Sequence, residues 1–502
     1  MRWILIFLPL FLAAMPPLNE VLNYPKSYYR DFWLIQYLKK TDDGYKAEDI
    51  YNEITYKKDF HLKLLAKKNS LYKTIYDCKH ITQKNWIDYP PSCIIENGFS
   101  FWSLKHMSKD EIKTLLVYIP NSKIKKEIKI VSEKDYKKSF NNLDIFYDIF
   151  LKITPNIEIP KIYINNITKD RRFKYLLPIV VRNPKKDNIQ KSFLNIHYKD
   201  VKDSYKFELA LNAIHYKRYN LAIKILKSKK HKTNQDIFWL YLLTQNKKYA
   251  NKLLNNSRLD FYTLWIYEKF DKKYKIDKVK ITNSSIPIYD INDPLDIIQF
   301  YQTKAKTKNL FNLAKKLDNN KTLPLKALVL DKAYNYTKNY YIMPKYDLDD
   351  FTISQKALFY GLARQESRFI PAQTSRSYAI GLMQMMPFLI RAFEPDEDIE
   401  NFWSAKTNVK YAKKHLLWLL KKLDNNPLFV SYAYNGGIGF TKRKVIPYFK
   451  FKGEFEPFYS MEMVPYSESR EYGKKVITNY VIYKTLLGEK TTLHQLFDKF
   501  KK

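Results

Sequence analysis

At 502 residues the chain is too long for one ordinary hydrophobic core, so two or more domains are expected, and 45% hydrophobic residues are enough for globular folding. The net charge of +37 is spread, with +10 on residues 351–502 and +27 on the first 350. A nucleic-acid binder concentrates its charge in a patch or stripe, so nucleic acid is not the expected partner. Diffuse lysine suits an acidic polymer, although solvated helix faces explain it equally well.

The chain opens with Met1-Arg2, a minimal positive segment, followed by the apolar run Trp3–Ala14 that ends in small residues. This pattern predicts a secretory signal peptide over residues 1–15, because the run is short for spanning a bilayer; an uncleaved anchor is the alternative. No cysteine follows the run, so a lipoprotein is not indicated. An exported protein is expected.

Tyr28–Leu38 reads as a strongly aromatic helix, and further helical patterns run to about residue 150. Cys78 and Cys93 are the only cysteines. They can form a structural disulfide in an oxidising compartment or remain two buried thiols, and without histidines at ligand spacing they do not suggest a metal site. Prolines at 155, 160, 178 and 184 interrupt the pattern. From 205 onward short helices pair, Phe207–Ile214 with Leu221–Leu226 and Ile237–Leu243 with Tyr249–Leu254. Such pairs are tetratricopeptide-like units, which stack because no single unit buries its apolar face alone. The linker 281–294 precedes a last helical segment at 295–340. Residues 25–340 are thus expected to be a helical and linker region.

Eight of the ten glycines lie between Gly361 and Gly488. Glycine marks turns and close backbone approaches, so this shift places a domain boundary near 345. Within the glycine-rich part, Ala357, Leu358, Leu362 and Ala363 recur at helical spacing after a candidate N-cap, Ser354. Near the end of that helix sits Glu366, expected to face Leu382 and Met386. Desolvation disfavours the charged form, so such a carboxyl can stay protonated near neutral pH and act as a general acid. A surface glutamate paired with Arg364 or Arg368 is the bland alternative. Those arginines lie two positions away, on other helix faces.

Three blocks occur in order: Ala363-Arg-Gln-Glu366-Ser-Arg-Phe369 with Gly381-Leu-Met-Gln384-Met-Met386-Pro387, then Ala433-Tyr434-Asn435-Gly-Gly437, then Glu462-Met-Val-Pro-Tyr-Ser-Glu-Ser-Arg-Glu-Tyr472. Together they resemble the catalytic domain of the soluble lytic murein transglycosylases. The resemblance implies a mainly all-α fold: a helical superhelix of tetratricopeptide-like pairs, followed by a lysozyme-like transglycosylase domain over 345–490. It implies cleavage of peptidoglycan glycan strands in the periplasm, at the MurNAc-GlcNAc β-1,4 bond, with no cofactor and no metal. Glu366 would protonate the glycosidic oxygen and then deprotonate the sugar's own C6 hydroxyl, closing a 1,6-anhydro ring. A muramidase of the same fold and an inactive helical scaffold are the competing readings.

By resemblance, Ser375 would bond the muramoyl N-acetyl group, Gln384 sugar amides, and Met386 would pack on a sugar ring. Tyr434 and Asn435 would face the cleft from the end of a helix starting near Leu428, which Gly436-Gly437 stops; relatives usually carry alanine where Gly436 stands. Glu462 would contact substrate. Ser375 is otherwise a plain loop residue, and Met383, Met385 and Met386 are otherwise core filler.

Overall fold

A computed structural model describes residues 15–395 and 397–501. The signal peptide expected at 1–15 lies outside the described residues but for Met15. Among the described residues every regular element is a helix, and β pairing is confined to the isolated bridges Thr374–Ile380, Ile380–Met385 and Asp277–Tyr340. No described helix is long and apolar enough to cross a membrane.

The chain packs as two compact units. One contains residues Leu62–Leu253 with Met463–Tyr466. Here the expected helices form: Asp203–His215 packed on Tyr219–Lys227, then Asn234–Thr244 followed by Lys247–Leu254. Lys217 and Gln245 turn the chain between partners at φ 56° and 51°, in the left-handed region that stops a helix. Thr233 and Asp236 close a reciprocal capping box at the start of the third helix. Ala210 and Leu211 of the first helix and Ala222 and Leu226 of the second are fully buried, each large aliphatic contributing about 1.5–3 kcal/mol by leaving water. Cys78 and Cys93 are joined as a disulfide, linking Ser70–Lys79 to Pro91–Asn97.

The other unit gathers the residues through His61, Leu254–Glu462 and Ser467–Lys502. Its centre is Ile353–Glu366 lying against Ser467–Leu486. Gly361 permits the approach: a Cβ there would stand 3.3 Å from the backbone nitrogen of Tyr480, and the Gly361 carbonyl accepts from Asn479 Nδ2 at 3.2 Å. Gly473 does the same on the neighbouring face, where a Cβ would fall 2.3 Å from the Tyr432 ring of Pro427–Gly436. Residues distant in sequence complete this unit. Tyr29 and Phe32 of the Tyr28–Lys40 helix set ring edges on Trp403 at 5.0 and 5.4 Å. Trp265 of Phe261–Lys269 stacks on His494 at 4.5 Å and meets Phe458 at 5.3 Å.

Candidate active site

The helix carrying Glu366 starts two residues earlier than the sequence suggested. Thr352, not Ser354, is its N-cap: Thr352 Oγ1 accepts from the Gln355 backbone at 3.3 Å and Gln355 Oε1 accepts from the Thr352 backbone at 2.9 Å. The reciprocal box needs a glutamine or glutamate three residues on, which Thr352 has and Ser354 lacks. Glu366 is the last helical residue, half-buried, above a fully buried turn of Phe359, Leu362 and Ala363.

Burial pushes the Glu366 carboxyl up to about 7, and the negative charge of Glu468 adds to the rise, while a hydrogen bond donated by the Tyr472 hydroxyl to Glu366 Oε1 opposes it. The group is therefore poised to hold or release a proton near neutral pH. Burial pushes the Tyr472 and Tyr434 hydroxyls well above the ordinary phenol range, and the neighbouring Glu366 carboxylate adds to both rises, so both stay protonated and can donate. The arginines flanking Glu366 pair elsewhere: Arg368 Nη1 donates to Asp331 at 3.1 Å and Arg364 lies 4.0 Å from the same carboxylate. Among the described residues neither arginine therefore supports the surface-pair alternative for Glu366.

The second part of the site is the 373–386 segment, pinned by Asn408. This fully buried amide accepts from the Met383 backbone at 2.7 Å and donates to the carbonyls of Ile380 and Phe402 at 3.0 and 2.9 Å. Gly381, at φ 83°, lies so close beneath it that a Cβ would fall 2.2 Å from Asn408 Nδ2. Tyr434 anchors the same segment from the Pro427–Gly436 helix, donating to the Met383 carbonyl at 2.8 Å. That helix starts at Pro427, capped by Asn426, and stops at Gly437 with φ 84°, as the Gly-Gly pair suggested.

Gln384 turns at φ 48° and spends its Nε2 on the carbonyls of Gly381 and Gln373, at 2.7 and 3.1 Å. Two carbonyl partners fix the nitrogen on that side, so of the two ends expected to serve sugar amides the nitrogen is already engaged within the protein. Met386 is half-buried, whereas Met383 and Met385 are core. Ser375 Oγ accepts from the backbones of Ala379 and Ser377 at 3.0 and 3.3 Å, which makes it a turn residue whose hydroxyl proton stays available. Asn435 accepts from Ser469 Oγ at 2.7 Å and meets Glu468 at 3.4 Å.

Glu462 is not brought to this group. It is buried with Lys474, whose Nζ lies 2.9 and 3.0 Å from its two oxygens, and Tyr262 donates to it at 2.7 Å. Lys474 and Tyr472 are two residues apart on one helix and so point to different faces. The residue that sequence reasoning left without a role is Tyr472. It was visible as the last member of the third block, but only the packing of Ser467–Leu486 on Ile353–Glu366 turns it onto the carboxyl.

Residues 350–454 match the family model described as Transglycosylase SLT domain. The chain carries this SLT domain and is homologous to the soluble lytic murein transglycosylases. The protein of that name from Escherichia coli strain K12 is 28% identical over 204 residues, 38% of this chain and 31% of the relative. The one from Salmonella typhimurium is 30% identical over 138 residues, 26% of this chain and 21% of the relative. The sequence match thus spans about a third or less of these relatives' length. In three dimensions the likeness is wider. An inactive mutant of lytic transglycosylase Slt from Pseudomonas aeruginosa aligns at a TM-score of 0.55 and 12% identity, covering 94% of this chain and 89% of that one. The 70 kDa soluble lytic transglycosylase from Escherichia coli aligns at 0.52 and 14%, covering 97% and 91%. The fold class is therefore the one expected, an all-α superhelix followed by a lysozyme-like domain. The SLT domain holds Glu366, Ser375, Gln384, Met386, Tyr434 and Asn435, and the match ends before Glu462 and Tyr472.

Proposed function

We propose that the chain is a peptidoglycan lytic transglycosylase, exported to the periplasm for cell-wall turnover or remodelling, with its catalytic domain over 345–490. The observation that carries the reading is Glu366: a half-buried carboxyl, pushed up to about 7, fed by a tyrosine donor, within the SLT domain. A carboxyl poised near the working pH is the efficient general acid and, once ionised, an efficient base.

Glu366 would give its proton to the oxygen of the MurNAc-GlcNAc β-1,4 bond, releasing GlcNAc as the leaving group. Tyr472 would stabilise the new carboxylate. That carboxylate would then take the proton of the MurNAc C6 hydroxyl as O6 bonds to C1, closing the 1,6-anhydro ring and restoring the acid. One proton leaves and one returns, and no water is consumed. Attack within one sugar carries a high effective molarity. Gln384 Oε1, Met386, Ser375 and Asn435 would line the sugars.

Glu366→Gln tests the assignment, since it keeps the shape and removes both proton transfers. General acid–base catalysis is worth roughly 10²–10⁴-fold, so muropeptide release should fall by at least that range while the circular dichroism spectrum is unchanged. Residual activity above a tenth of wild type would end the assignment.

The muramidase reading keeps one foothold in Glu468, the exposed carboxylate close enough to raise Glu366. A second carboxylate near the acid is what a hydrolase needs.

A further inference from the structure

We infer that Asp331 is a positioning residue for Glu366, its carboxylate tying down Arg368 and so fixing the strained turn in which the Ile353–Glu366 helix ends. The inference rests on the reading of Glu366 as the acid and base.

The turn is unusual. Directly after Ser367, Arg368 and Phe369 stand at φ 56° and 67°, two consecutive residues in the left-handed region without glycine. A bulky side chain is rare there, and such residues persist only where their surroundings over-determine them. Four restraints do so. The Ile370 backbone donates to both the carbonyl and Oγ of Ser367, each at 3.2 Å. The buried Phe369 ring lies between Tyr360 and Tyr483, at 6.2 and 6.4 Å. Arg364 donates to the Tyr340 carbonyl and lies 4.0 Å over the Tyr341 ring. Arg368 is held by Asp331 at 3.1 Å, the one restraint that reaches the turn from the Leu323–Ala333 helix.

Asp331 has a side chain only 5% exposed, so its charge is there to be matched. It faces Arg364, Arg368 and, further off, Arg258. Glu366 sits two residues from each of the first two guanidiniums and is itself faced by Tyr472, Tyr434 and Glu468. Asp331 thus acts on the acid through the turn, by holding Arg368. The turn also leads into Gln373, whose carbonyl anchors Gln384, so a slip at Arg368 would move the acid and the ligand-facing amide together. Asp331 lies outside the SLT match, which begins at residue 350.

The test compares full-length wild type, Glu366→Gln, Asp331→Asn, Arg368→Gln, Arg368→Lys and the Asp331→Asn/Arg368→Gln double variant on soluble peptidoglycan strands, reading kcat, KM and the melting temperature. Misplacement of a reacting group by about 1 Å costs up to roughly 10²-fold, so Asp331→Asn should lower kcat by about 10- to 10²-fold with KM little changed. Arg368→Gln should give a similar loss, and the double variant no more than the worse single, because one interaction is broken in all three. The discriminating readouts are the split between kcat and KM and rescue by the conservative variant: Arg368→Lys keeps a cation for Asp331 and should recover part of the activity lost in Arg368→Gln. A merely structural role lowers the melting temperature and leaves kcat per folded molecule unchanged. Unchanged kcat, additive losses or no rescue by Arg368→Lys would overturn the inference. If Asp331→Asn does not fold, Arg368→Gln and Arg368→Lys carry the test through kcat. If wild type is inactive or Glu366→Gln is fully active, the reading of Glu366 falls and takes the inference with it, an outcome distinct from failure at Asp331 alone.

Discussion

The Tyr472 hydroxyl donates to Glu366 Oε1, joining residues 106 apart in sequence. The bond exists because Gly361 lets two helices approach until side chains on facing turns meet. It acts against burial: a donor favours the ionised carboxylate, while desolvation favours the acid, and desolvation wins, leaving the group near 7.

Tyr472→Phe removes the donor without removing the ring. A hydrogen bond to a charged group contributes about 1.5–3 kcal/mol, so kcat should fall roughly 10- to 10²-fold. In the proposed scheme the protonated form of Glu366 acts at the first step, so activity should be lost as pH rises through about 7. Without Tyr472 the carboxylate is less stabilised, so that limb should move to higher pH. A pH–rate profile checks it; an unchanged or lowered limb would mean that Tyr472 does not act on Glu366.

Glu462 gives a prediction of another kind. Lys474 and Glu462 are 3% and 2% exposed and hold each other with Tyr262, and Lys474 also donates to the more exposed Glu471 at 3.0 Å. Removing one partner of a buried pair costs about 3–5 kcal/mol, mostly from the charge left behind. Lys474→Met should lower stability by that order in denaturant unfolding, and Lys474→Met/Glu462→Gln should recover part of it. Glu462→Gln should act on stability and leave KM unchanged. A raised KM in a fully stable Glu462→Gln variant would return Glu462 to the substrate.

What the sequence made legible was local. The Ile353–Glu366 helix, the Gly-Gly stop after Asn435 and the short helices after 205 all follow from period and glycine placement. What it hid was long-range. Glu462 lies in a motif block, and nothing in the block says that its partner is Tyr262, 200 residues earlier. Tyr28–Lys40 read as an aromatic helix, but its rings reveal their target only when Trp403 is seen beneath them. Asp331 has no motif at all; its meaning comes from the two left-handed residues it restrains across the helix interface.

The most direct measurement is the product formed in ¹⁸O-labelled water. With Glu366 as both acid and base and the C6 hydroxyl as nucleophile, muropeptides should carry no label and a mass about 18 Da below the reducing form, the mass of the water not added. Reducing ends bearing ¹⁸O would contradict the single-carboxylate scheme, convert the enzyme into a hydrolase, and make Glu468, the other carboxylate near Glu366, the residue to substitute next.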